Sequence, residues 1–208
     1  GVELMVKKNN RKALIGNGSL LGIDMNPRLD IDLKFNEFNL GFLSPIGKEN
    51  IKDIRGEVTG DVNLWGPLTS PYHTGKLVLN NSGLRVNYIN ADYKFIDGAE
   101  ISLVNQSFNL KNTKFIDTKF KTEGLISGEI AHVDFKDWDF DLKINSEKIM
   151  MVDIPKDDDA IFYGNGFFKG DIVLSGPSKN LNVNVRGETQ EGTIINIPWA
   201  EDYGIIDP

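Results

Sequence analysis

The chain has 208 residues, of which 40% are apolar, 25% charged and 10% aromatic, a balance that suits a folded protein with a sizeable core. Its formal charge is −7 and it holds no run of Lys and Arg, which speaks against nucleic acid as a partner. It has no cysteine, so disulfides, thiolate metal sites and cysteine nucleophiles are excluded.

No apolar run approaches the ~20 residues of a membrane-spanning helix, and no signal peptide is visible. The chain opens on Gly1-Val2-Glu3-Leu4 and stops at Asp207-Pro208, and reads as a piece of something longer. Its 21 Gly and 21 Asn against only 6 Ala favour short strands joined by turns over a helical bundle.

In chain order, Leu29, Ile31, Leu33 and Phe35 alternate with polar residues, which predicts a strand. The same two-residue period recurs at Val62/Leu64, Leu84/Val86/Tyr88, Ile101/Leu103, Phe140/Leu142/Ile144, Ile172/Leu174 and Leu181/Val183/Val185. Strands of about eight residues would span ~26 Å. The stretch 129–154 lacks Gly and Pro, yet its apolar parity slips once, between Phe135 and Trp138. That predicts a hairpin turning near Lys136-Asp137 rather than a helix. Gly66-Pro67 and Gly176-Pro177 should each end a strand, because proline has no N–H for the ladder. Gly164, Gly166, Phe168 and Gly170 share one face by parity; the glycines mark either a bend with close backbone approach or a flexible edge.

Two segments return in order. GDVNLWGP (60–67) reappears as GDIVLSGP (170–177), and DIDLKFN (30–36) as DFDLKIN (139–145), at offsets of 110 and 109. This predicts two β-units, 1–110 and 111–208, stacked in one continuous elongated sheet.

Sequence chemistry is sparse. GFLSPIGKE (41–49) has the wrong glycine spacing for a phosphate loop and carries Glu49 where a hydroxyl must meet magnesium. The two histidines, His73 and His132, fall one per unit and outside any ligand or catalytic spacing. Asp157-Asp158-Asp159 reads as a solvated loop and not as a calcium site. Trp65, Trp138 and Trp199 are either core and edge cover or, if exposed, a carbohydrate platform. The chain is therefore predicted to be no enzyme, with no metal and no cofactor.

The segments GEIAHVDFKDWDFDLKI (128–144), DDDAIFYGNGFFKGDIVLSGPSKNLNVNV (157–185) and GTIINIP (192–198) together resemble the C-terminal part of the TamB family, relatives of AsmA-like proteins in diderm bacteria. The resemblance covers roughly 55–208, and the Asn-, Lys- and Phe-rich flavour looks like a Bacteroidetes member. It implies an all-β fold, a strongly curved U-shaped sheet (a β-taco) with an apolar groove. It further implies a periplasmic protein held by an inner-membrane anchor in a preceding N-terminal part, reaching an outer-membrane barrel of the TamA type and carrying phospholipid between membranes. The predicted groove lining is Leu29, Ile31, Leu33, Phe35, Val62, Leu64, Phe140, Leu142, Ile144, Ile172, Leu174, Leu181, Val183 and Val185, solvating hydrocarbon. Two rivals stay open: an assembly factor that pairs open sheet edges with barrel strands by β-augmentation, and a secreted β-sandwich that binds glycan.

Overall fold

A computed structural model describes residues 1–8, 10–22, 26–43, 50–157 and 161–198. Thirteen strands hold most of them: β1 (Val2–Lys8), β2 (Arg11–Leu21), β3 (Arg28–Asn39), β4 (Ile51–Pro67), β5 (Tyr72–Val86), β6 (Ala91–Phe95), β7 (Ala99–Asn105), β8 (Ser107–Asp117), β9 (Glu123–Val133), β10 (Asp137–Ile154), β11 (Tyr163–Pro177), β12 (Asn182–Thr189) and β13 (Ile194–Asn196). One 3-10 turn, Leu40–Leu43, is the only helical element among the described residues. All strands join a single antiparallel sheet in chain order. β6 and β7 both pair with β5 on one side and β8 on the other, so they are one strand interrupted between Phe95 and Ala99. β12 and β13 likewise share the flank of β11. The result is a plain meander, each strand returning beside the last through a short connection.

Every alternating segment apart from two ends lies in a strand. Tyr88 falls in the β5–β6 turn and Leu181 just before β12. The predicted hairpin is β9–β10, whose turn residues Asp134 and Phe135 both have positive φ, as a type I′ hairpin turn requires. β4 and β11 end at Pro67 and Pro177.

The strands are much longer than eight residues: β4 has 17 and β10 has 18. The cause is a series of bulges. Register shifts fall between Phe35 and Phe38, between Lys52 and Glu57, between Leu110 and Thr113, and between Ser146 and Ile149. Glu37, Asp53 and Asn112 sit there in the left-handed conformation. Each extra residue flips the sequence parity while the side chains stay on the same face. A two-residue period therefore sees one long strand as two short ones.

The sheet is strongly curved. β6 and β10 are three strand spacings apart, about 14 Å if flat. Yet Tyr93 Oη donates to the Met150 carbonyl at 2.9 Å, and the Asp153 N–H donates to the Ile89 carbonyl at 3.0 Å. Where it curls, Ala91, Tyr93, Phe115, Ile149, Met150 and Phe167 form the buried core. On β11, glycine permits close approach of the neighbouring β12: a Cβ at Gly170 would lie 2.1 Å from the Arg186 carbonyl oxygen, and φ there is +144°. Of the two readings open for the glycines of 164–170, close backbone approach is the one found.

The repeated segments pair alike. DIDLKFN of β3 lies against GDVNLWGP of β4, with Leu33 opposite Val62. DFDLKIN of β10 lies against GDIVLSGP of β11, with Leu142 opposite Leu174, two residues further along. β8 runs through position 110/111, and the sheet continues across it.

Candidate functional site

Residues directly opposite each other on neighbouring strands point to the same side of a sheet. On β3 and β4, Ile31 faces Leu64, Leu33 faces Val62, and Leu29 and Phe35 face Gly66 and Gly60. On β10 and β11, Leu142 faces Leu174 and Ile144 faces Ile172, with Phe140 opposite Gly176. Ile172 and Leu174 in turn face Val185 and Val183 of β12.

The intervening strands join the two halves. Gly75 of β5 lies between Val62 and Leu103 of β7, Leu103 faces Phe108 of β8, Phe108 faces Ile130 of β9, and Ile130 faces Phe140. Thus all the predicted lining residues except Leu181 share one apolar face of one sheet. Sequence reading missed Leu14 and Leu20 of β2, which face Phe35 and Leu29, together with Phe108, Leu110, Ile126 and Ile130. Glycines interrupt the alternation on β2, and a bulge cuts it short on β8.

No second sheet covers this face among the described residues; the main contacts between strands that are not sheet neighbours join β10 to β6 and β8. Curling alone buries Leu29, Val62, Leu103, Leu142 and Ile172 in the middle. At the margins Leu4 and Val6 on one side, and Val183 and Val185 on the other, are 40–58% exposed. The opposite face is polar. Asn63 Nδ2 donates to Asp30 and Asp32 at 2.9 and 3.0 Å, and hydrogen bonds from Asn145 and Lys143 hold Asp171 below the usual carboxylate range. A hollow of about 640 Å³ on that polar side is lined by Lys76, Asp97, Glu100 and Lys111, residues unsuited to hydrocarbon.

The two histidines meet. His73 of β5 and His132 of β9 are 1% and 3% exposed, with their Nε2 atoms 2.8 Å apart. Phe108, Phe135 and Trp138 enclose them, and the Phe135 ring stacks on His132 at 4.1 Å. Burial lowers His73 to about 4, with the neighbouring His132 adding to the effect. Burial also lowers His132, against an upward pull from the Asp134 carboxylate. One histidine per unit was the only sequence signal for this pairing. Among the described residues no group of three or more His, Asp or Glu could hold a metal.

Trp138 belongs to this enclosed cluster, whereas Trp65 packs tilted against Tyr72, ring centroids 4.8 Å apart, with 38% exposure. Trp199, Asp158, Asp159 and the 44–49 part of GFLSPIGKE lie outside the described residues.

Residues 111–204 match the family model of the TamB C-terminal domain. No curated protein and no solved structure matches the chain.

Proposed function

We propose that the chain, whose residues 111–204 match the model of the TamB C-terminal domain, is a TamB-type section of a periplasmic bridge that carries phospholipid acyl chains along its concave apolar face. One observation carries this reading: an apolar face that runs from β1 to β12 without a covering layer among the described residues. A face of this extent left to water would be strongly unfavourable, and hydrocarbon is the partner it suits. An acyl chain of about 15 Å, half the ~30 Å core of a bilayer, would cross roughly three strands. The lining is aliphatic and aromatic side chains interspersed with glycine, so a chain can shift from one strand to the next without meeting a charge. In this reading the parent protein is anchored in the inner membrane and meets an outer-membrane barrel of the TamA type. The units 1–110 and 111–208 are successive modules of the same face.

The test is native mass spectrometry of the purified 208-residue chain after incubation with phospholipid. Retained phospholipid is the expected result. Leu33→Asp should abolish retention while strand content by circular dichroism stays nearly unchanged, because a charge on this half-buried residue can reach water. Asp32→Leu, on the opposite face, should retain lipid. No retention by the unsubstituted chain, or full retention by Leu33→Asp, overturns the reading.

A second reading rests on β12. Among the described residues it pairs only with β11, its other edge is open, and its whole length is exposed. Such an edge can add a strand from a barrel partner by β-augmentation. A photo-crosslinker at Asn184 that captured a barrel protein, in a chain that retained no lipid, would favour assembly over transport.

A further inference from the structure

β5 and β9 are not neighbours in the sheet; β7 and β8 lie between them. The β7–β8 hairpin ends at Asn105-Gln106, and past its tip the flanking strands reach each other. Gln106 marks the place: its carbonyl accepts from the His132 N–H at 2.9 Å, and its Nε2 donates to Ser70 Oγ and the Pro71 carbonyl at 3.0 and 3.3 Å. His73 and His132 close over this tip.

The hydrogen bonds fix the tautomers. The Phe135 N–H donates to His132 Nδ1 at 3.2 Å, so Nδ1 is an acceptor and the ring proton is on Nε2. That Nε2–H donates to His73 Nε2, which leaves the proton of His73 on Nδ1, buried and without a partner. Both rings are neutral. A further proton on His73 Nε2 would face the Nε2–H of His132, and one on His132 Nδ1 would face the Phe135 N–H. Either proton breaks one of the two bonds.

We propose that the His73–His132 pair is an acid-sensitive latch, which holds β5 to β9 over the hairpin tip: a first proton frees the Phe135 turn, and a second, which sets two charged rings against each other, releases that end of the concave face. Few charged groups face the pair. β5, β7, β8 and β10 present Phe108, Trp138 and the uncharged hairpin tip. Asp134, in the β9–β10 turn, is the charged group that acts on the pair and draws the first proton toward His132. Asp137, at the start of β10, is engaged instead with Lys179 at 3.2 Å. Release uncovers Phe108 and Trp138. The inference does not depend on what fills the concave face.

Hydrogen exchange of the 208-residue chain between pH 7.5 and pH 4, corrected for intrinsic rates, tests it. Amides of 104–108 and 132–136 should lose at least tenfold in protection on acidification while those of 149–150 hold. The double variant His73→Phe/His132→Phe should keep its protection over the same range. Unchanged protection in the unsubstituted chain overturns the latch, as does an equal loss in the double variant. If that variant fails to fold, nitrogen chemical shifts of the two rings decide. The latch requires the tautomers given above at pH 7.5 and loss of the Phe135 amide hydrogen bond as the rings titrate. Either ring titrating near 6.5 with that amide undisturbed overturns it.

Discussion

A Cβ added at Gly128 would lie 2.0 Å from the Asp141 carbonyl oxygen, in a backbone with φ of +127°. Gly98 also has positive φ, +85°, but no atom within 4 Å of its would-be Cβ. Gly98→Ala therefore meets conformational strain alone, about 1 kcal/mol, whereas Gly128→Ala must also push two strands apart and should cost about 3 kcal/mol or more. Urea midpoints at unchanged m-value would show the difference. The histidine pair makes a separate prediction. The unfolded chain takes up protons near 6.5, but folded His73 does so only near 4. The contribution of this ring is thus fully present above pH 6.5, is lost as pH falls from 6.5 to about 4, and changes no further below that. The expected loss is between about 1 and 3 kcal/mol. Urea midpoints from pH 7.5 to 4.5 should follow it, and His73→Phe/His132→Phe should flatten the dependence.

The β8–β9 turn shows how a strand connection hangs from one side chain. Asp117 is fully buried and its carboxylate accepts from the backbone N–H groups of Lys119, Phe120 and Thr122 and from the Thr122 hydroxyl. Asp117→Ala leaves those donors unpaired and should destabilise by about 2–4 kcal/mol, with exchange rising first at 118–122. Sequence reading passed over Asp117, because an aspartate five residues before a threonine is ordinary in a strand-rich chain. The strands themselves were legible where alternation ran unbroken, as at Leu29–Phe35 and Phe140–Ile144. They were truncated where a bulge inserted one residue, as after Phe35 and after Ile144. Bulges are set by the partner strand, and a single-strand period cannot register them. The β9–β10 hairpin was legible for the converse reason: its parity slip coincided with a turn.

At the scale of the molecule, alternation identified a dry face but could not say what covers it. The covering layer is a property of topology, and one meander with no second sheet among the described residues leaves that face to its own curl. The closed sandwich of the glycan-binding rival is not what the strands form. Most of the shared apolar face was legible, because register carries the alternation of β3 and β10 across to β4 and β11. Leu181 lies outside the strands, since β12 begins one position later. The histidine pair was illegible, because 59 residues separate partners that only the curvature brings together. The central claim is that acyl chains lie on this concave face, and a phospholipid bearing a photoactivatable diazirine on its acyl chain tests it most directly. After irradiation with the purified chain, mass spectrometry should place the adducts at Leu33, Val62, Leu142, Leu174 and their neighbours on that face. Adducts concentrated instead at Asp32, Asn63 and Lys143 on the polar face, or no adducts at all, would contradict the account.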